Sequence, residues 1–175
     1  VAISWVEKMG FKIAIRTGYE ADDMVASIAK DAKEKGFEVR IVSHDKDLYQ
    51  LIDDENSVYL FDPTKKQIIN EAKCIEKYGV TPKQFIDYQA LVGDTADNIP
   101  GVKGVGAKTA QTLIEQFGTL ENIYENIENI DKKRTKELLI EGKENAFLSK
   151  QLVTLKDDCH FISNIDEFSL PLENP

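Results

Sequence analysis

Seven acidic side chains in three clusters are the residues best placed to do chemistry. Glu20, Asp22 and Asp23 lie in Gly18-Tyr19-Glu20-Ala21-Asp22-Asp23. Asp45 and Asp47 lie in Ser43-His44-Asp45-Lys46-Asp47, and Asp94 and Asp97 in Gly93-Asp94-Thr95-Ala96-Asp97-Asn98. Each cluster alone has an ordinary explanation. Acids suit the first turn of a helix, where they cap free N–H groups and oppose the dipole. Three acids within four residues, however, repel one another unless something positive is bound. Asp45 and Asp47 are two apart, so both face one side of an extended chain, although a polar loop with a capping aspartate explains them as well. A spacing of three puts Asp94 and Asp97 on one face if the segment is helical; the plain alternative is a solvated turn. Taken together the acids form an all-oxygen ligand set without His or Cys, which suits Mg2+ or Mn2+ and not zinc. Two such ions about 3.5–4 Å apart are what phosphodiester hydrolysis uses to activate water and stabilise the leaving oxygen.

The third cluster runs directly into Asn98-Ile99-Pro100-Gly101-Val102-Lys103-Gly104-Val105-Gly106-Ala107-Lys108-Thr109-Ala110. Three glycines permit tight turns and close approach of a ligand to the backbone. A helix starting near Ala107 presents free amides at its positive end, an anion site, and Lys103 and Lys108 add charge. The segment is not a nucleotide-binding Walker loop, because Ala107 separates Gly106 from Lys108 and no apolar strand precedes it. A helix–hairpin–helix holding a DNA backbone fits better, positioning the duplex without reading bases. The alternative is a helix–helix connection whose glycines serve packing. Lys132-Lys133-Arg134 and Lys136 are either further phosphate contacts or a solvated helix face.

The elements that must position these residues follow from periodicity. Phe11–Arg16 alternates like a strand, Ala21–Lys35 has helical spacing closed by Gly36, and Phe37–Val42 is β-branched and apolar. This strand–helix–strand run predicts a parallel unit. In such a sheet, loops at the carboxyl ends of strands form the ligand crevice. Val58–Phe61 reads as a third strand that Gln67–Ile69 pairs with across the Asp62-Pro63-Thr64 turn. A short helix is expected at Leu48–Ile52. Beyond about Asn70, helical patterns dominate: Glu71–Tyr78, Pro82–Leu91, Ala107–Phe117, Leu120–Asn126, Lys132–Leu139 and Glu144–Val153. Residues 1–70 are therefore expected to form an α/β part with a partial parallel or mixed sheet, 71–165 a helical part, and 166–175 a linker or tail. Trp5 and the tyrosines are expected in the core or half-exposed, except Tyr19 and Tyr49, which flank acid clusters.

The formal net charge of −9 over 175 residues opposes nucleic-acid binding if spread evenly. It does not if the acids gather around bound cations. No apolar run is long enough to span a bilayer. No signal peptide is visible, and the two cysteines, Cys74 and Cys159, read as free thiols. A cytoplasmic protein is expected. The opening at Val1, already in helical register through Ile3, Val6 and Met9, suggests a start inside a larger domain.

The three acidic segments, with Asp45-Lys46-Asp47-Leu48-Tyr49-Gln50-Leu51 and the glycine segment through Ala110, resemble the 5′-nuclease (flap endonuclease) family. Within it the likeness is to the 5′→3′ exonuclease domain of bacterial DNA polymerase I, in order from about residue 11 to 155. The resemblance implies a PIN-like nuclease core followed by a helix–hairpin–helix part. It implies Glu20, Asp22, Asp23, Asp45, Asp47, Asp94 and Asp97 as carboxylates of a site for two or more Mg2+ or Mn2+ ions, with Asp22, Asp23 and Asp45 catalytic. It implies DNA contacts from Gly101, Val102, Lys103, Gly104, Val105, Gly106, Lys108 and Thr109, with a K+ ion on hairpin carbonyls. The implied partners are DNA with a 5′ flap or 5′ end and a polymerase domain in the same full-length chain, with no membrane. The family also has an early strand with a metal-binding aspartate and a basic arch, and no residue here fills those roles. Three other readings stay open: a DNA-binding module that does not cut, a 5′-nuclease without a polymerase, and a carboxylate-rich phosphatase on a similar sheet.

Overall fold

The computed structural model describes residues 2–159 and 168–169. Helix α1 spans Ala2–Lys8, and α2 spans Ala21–Glu34. A capping box starts α2: the Glu20 side chain accepts from the backbone N–H of Asp23, whose carboxylate accepts from the N–H of Glu20. This reciprocal arrangement satisfies two otherwise free donors. Met24, Ala26, Ala29 and Ala32 form the buried face of α2. Gly36, at φ +80°, turns the chain into the sheet.

Strand β1 is Val39–Val42, β2 is Val58–Asp62 and β3 is Gln67–Ile69. The order is β1-β2-β3. β1 runs parallel to β2 with Ile41 opposite Leu60, and β2 runs antiparallel to β3 with Leu60 opposite Ile69. The expected mixed sheet is present, but one expected strand is not. Phe11–Arg16 pairs with no strand among the described residues. A strand persists only through a ladder partner for its N–H and C=O groups, and alternation alone supplies none. Phe11 and Ile15 accordingly stay 47% and 67% exposed. The parallel connection is therefore β1 to β2, through short 3-10 turns at Asp47–Leu51 and Asp54–Asn56 in place of an α-helix. Trp5 is also not in the core, at 64% exposed.

The remainder is helical: α3 Glu71–Tyr78, α4 Phe85–Val92, α5 Ala107–Phe117, α6 Leu120–Glu125, α7 Lys133–Glu141 and α8 Lys143–Val153. The expected helix from Pro82 is split. Thr81 and Gln84 close a capping box around a 3-10 turn at Pro82–Gln84, and α4 starts after it. α4 is the central helix, with Phe85, Asp87, Tyr88, Gln89, Ala90 and Leu91 all buried. Its aromatic end stacks Phe85 on Tyr49 at 5.4 Å and meets Tyr78 edge-on at 4.8 Å. Buried Asp87 is balanced by Lys150 of α8, Nζ to Oδ1 2.7 Å, because an unpaired buried charge is costly. One cluster of buried side chains runs from Ala29 through Ile41, Leu48, Phe85 and Ile114 to Ala146. The sheet and the helices thus share a core. Apart from Phe168 and Ser169, the expected tail lies outside the described residues.

Candidate active site

The second acidic cluster sits where β1 ends. Ser43 Oγ accepts from the N–H of Asp45 at 3.0 Å, and Asp45 Oδ1 accepts from the N–H of Asp47 at 3.0 Å. These two turns fold the chain into the Asp47–Leu51 3-10 turn. Asp45 and Asp47 therefore do not lie side by side on an extended chain. Asp45 remains exposed, while Asp47 points inward, half-buried. There Gln89 of α4 donates from Nε2 to Asp47 Oδ1 at 2.5 Å.

The third cluster is not helical either. Gly93 ends α4 in a positive-φ conformation. Asp94 and Ile99 then pair backbone to backbone, with N···O distances of 2.9 and 2.7 Å. Asp94 Oδ1 accepts from the N–H of Ala96 at 2.9 Å. Short aspartate side chains favour such turns over helix. The turn still gathers the pair: oxygens of Asp47, Asp94 and Asp97 all lie within 4.8 Å of one another. The Lys46 ammonium lies against Asp94 Oδ2.

The electrostatics join the first cluster to the second, and the second to the third. Burial pushes the Asp22 carboxyl above its ordinary value, and Asp45, Asp47, Glu20 and Asp23 push it further. Burial also raises Asp47; the Gln89 hydrogen bond and Lys46 oppose this, while Asp45 and Asp94 add to it. For Asp94, burial acts upward but is outweighed by hydrogen bonds with Lys46, Asp97 and the Ala96 N–H, so its carboxyl lies below the ordinary range. Asp97 is raised by its hydrogen bond and repulsion with Asp94. Carboxylates that raise one another's pKa in this way form a site that favours a bound cation. Glu20 and Asp23 are more committed to local structure. Asp23 Oδ2 accepts from Glu20 N at 3.3 Å, and its Oδ1 accepts from Lys156 N at 2.9 Å.

Asp97 leads within a few residues into the glycine segment, which joins α4 to α5. Val102 and Val105 are buried, and Lys103, Gly104, Gly106 and Lys108 are exposed, with Thr109 half-buried. The segment thus divides into an anchoring side and a solvent side. Gly101 belongs to the anchor. Its φ is +59°, and an added Cβ would lie 2.5 Å from Gly93 N. Its N–H donates to the buried Ser149 Oγ at 2.9 Å. Gly106 is the residue before α5, and a Cβ there would meet nothing within 4 Å.

Residues 1–79 match the family model described as 5′-3′ exonuclease, N-terminal resolvase-like domain, and residues 80–175 match 5′-3′ exonuclease, C-terminal SAM fold. The chain belongs to the 5′-3′ exonuclease family. Among its relatives, DNA polymerase I of Deinococcus radiodurans is 43% identical over 155 residues, covering 87% of this chain and 16% of the relative. The 5′-3′ exonuclease of Buchnera aphidicola subsp. Schizaphis graminum is 42% identical over 171 residues, covering 94% and 59%. The chain thus spans less than two thirds of either relative's length. A solved complex of the bacteriophage T5 flap endonuclease with DNA and metal ions superimposes with a TM-score of 0.78 at 30% identity, covering 90% of this chain and 57% of that one. Divalent zinc ions are bound in a structure of the T5 5′-exonuclease, with a TM-score of 0.74 at 32% identity and coverage of 84% and 54%.

Within this 5′-3′ exonuclease family chain, two participants escaped the sequence reading. Gln89 is one. The signal for it was a polar residue, beside Asp87, inside the largely apolar stretch Phe85-Ile86-Asp87-Tyr88-Gln89-Ala90-Leu91-Val92, since a buried polar group needs a partner. Lys46 is the other; it was visible between two aspartates, but its reach to Asp94 was not. Tyr49 flanks an acid cluster in sequence yet is 4% exposed and packs in the core.

Proposed function

We propose that this chain forms part of a divalent-metal-dependent 5′→3′ exonuclease or flap endonuclease that hydrolyses DNA phosphodiesters during replication and repair. The observation that carries the proposal is the convergence of Asp47, Asp94 and Asp97 from two loops, immediately beside a glycine segment that presents Lys103 and Lys108 to solvent. A small-ester phosphatase has no use for that segment.

Asp47, Asp94 and Asp97 would hold a divalent cation, with Asp22 and Asp45 at the border of the same site. The all-carboxylate donor set favours Mg2+ or Mn2+. Bound there, such ions supply the positive charge that activates water and stabilises a leaving phosphate oxygen. Gln89 holds Asp47 in one orientation, a role in which partners of metal ligands are commonly found. Lys46 neutralises Asp94 and competes with a cation for the same oxygen. The exposed backbone of Gly104 and Gly106, the start of α5, and Lys103 and Lys108 would grip the duplex beside the cut through its phosphates. Because relatives named DNA polymerase I match this chain over 16–19% of their length, a polymerase domain in a longer chain belongs to the same proposal, and so does a cytoplasmic location.

The test is cleavage of an end-labelled 5′-flap DNA with Mg2+ or Mn2+. The chain is assayed alone and extended at its amino terminus to the length of the matched exonuclease. Metal-dependent cleavage by the extended form supports the proposal. No cleavage by either form, with duplex binding retained, replaces it with a binding module.

A further inference from the structure

A cleft of about 450 Å³ lies between α5 and the segment that enters α7. Leu113 and Ile130 make its buried floor, and Thr109 and Thr135 stand half-buried within it. Lys108, on the α5 side, and Lys132, before α7, line it and are both exposed. Neither lysine has an ion-pair partner among the described residues, whereas the nearby Lys136 is taken by Glu128 at 2.5 Å. The hydroxyls of Thr109 and Thr135 accept and donate no hydrogen bond among the described residues, while that of Thr112 is spent on the Lys108 carbonyl at 2.9 Å. Lys132, the residue before α7, makes no side-chain cap, and the first turn of that helix contains no acid. The first amides of α7 therefore carry no side-chain cap beside Lys132, whereas Arg134 is turned to Glu137 at 3.8 Å. The cleft also contains an acid, Asp131.

We infer that this cleft is a second phosphate-binding surface, which holds the backbone of the duplex DNA gripped by the glycine segment. The inference rests on the DNA-binding part of the proposed function. Continuity argues for one ligand at both places, because Lys108 and Thr109 belong to the glycine segment's helix and also line the cleft. Charge argues for a polyanion. In a chain of net charge −9, unpaired lysines beside free hydroxyls and helix-terminal amides favour phosphate oxygens. Contacts to phosphate oxygens carry no base information, so the contact adds affinity without sequence preference.

The test is binding of a short blunt DNA duplex by the chain in EDTA, measured over a range of salt. Lys132→Gln should weaken binding several-fold for any sequence and lower the slope of log affinity against log salt by about one. Asp131→Asn should tighten binding, a change that a merely structural residue would not produce. Circular dichroism checks that both variants fold. If Lys103→Ala weakens binding while Lys132→Gln and Asp131→Asn leave affinity and slope unchanged, the cleft is overturned and the glycine segment's role stands. If the parent chain binds no duplex, both are overturned.

Discussion

Gln89 Nε2 donates to Asp47 Oδ1 at 2.5 Å, although the two residues are 42 positions apart. Asp47 belongs to a loop of the sheet and Gln89 to the central helix, so this contact ties the acid site to the helical part. Gln89 is 3% exposed, and its Oε1 has no protein partner among the described residues. Gln89→Leu should release Asp47 and lower Mn2+ affinity by roughly 10–100-fold, the usual effect of losing a ligand's orienting partner. Gln89→Glu should instead raise it, because a further carboxylate beside Asp47 adds to the negative charge that favours a bound cation. Calorimetric Mn2+ titration of folded variants decides, and unchanged affinity in both would remove the positioning role.

Substitutions at Asp94 and Asp45 should separate metal binding from DNA binding. In the extended nuclease, Asp94→Asn should reduce flap cleavage by about 100-fold or more, exceeding the loss from an orienting partner. Asp45→Asn should act in the same direction. Duplex affinity in EDTA should stay near that of the parent, because neither residue belongs to the glycine segment. Normal cleavage by both variants would show that the carboxylates are structural.

Asp22 gives a pH signature without metal. Its carboxyl is raised by burial and by neighbouring acids. A raised carboxyl favours the fold below its ordinary pKa, and that contribution is lost as pH rises through the raised value. At neutral pH the ionised Asp22 therefore costs stability. Asp22→Asn should raise the melting temperature of the metal-free chain at neutral pH, and the gain should fade as pH falls into the carboxylate range. Mg2+ should reverse the order, by stabilising the parent more than the variant. Equal melting temperatures at every pH would contradict the repulsion argument.

Two glycines of the hairpin should behave in opposite ways. Gly101→Ala puts a Cβ 2.5 Å from Gly93 N at a φ of +59°. It should destabilise the fold by about 1–3 kcal/mol from backbone strain alone, with more from the clash. Gly106→Ala meets open space and should fold normally, yet weaken duplex binding by obstructing the approach of phosphate to the start of α5. Urea melts and duplex titration of the two variants test this. A Gly106→Ala chain that binds DNA like the parent would place the phosphate elsewhere.

The core offers a simpler check. Phe85 is fully buried between Tyr49 and Tyr78, and Phe85→Ala should cost about 3–5 kcal/mol. Since this residue links the Asp47 turn to α4, metal affinity should fall along with stability in calorimetric titration. A variant that loses stability but binds Mn2+ normally would show that the turn is held by other contacts.

By itself the sequence determined the elements that local patterning controls. α2, β2, β3, α3 and α5 fall where their apolar spacing, capping residues and glycines place them. It also singled out the seven acids as candidates, because clusters of like charge are costly unless something positive is bound. The tertiary structure alone decided which acids meet. Asp47 joins Asp94 and Asp97 because the 3-10 turn after β1 packs on α4 and the Asp94–Ile99 pairing closes a turn in place of a helix. Neither event has a local periodicity to read. It also decided that Phe11–Arg16 forms no strand, since strand formation depends on a partner elsewhere in the molecule and not on alternation alone. Gln89 and Lys46 entered the site for the same reason: a contact across many residues is set by packing, and only the folded chain brings its two ends together.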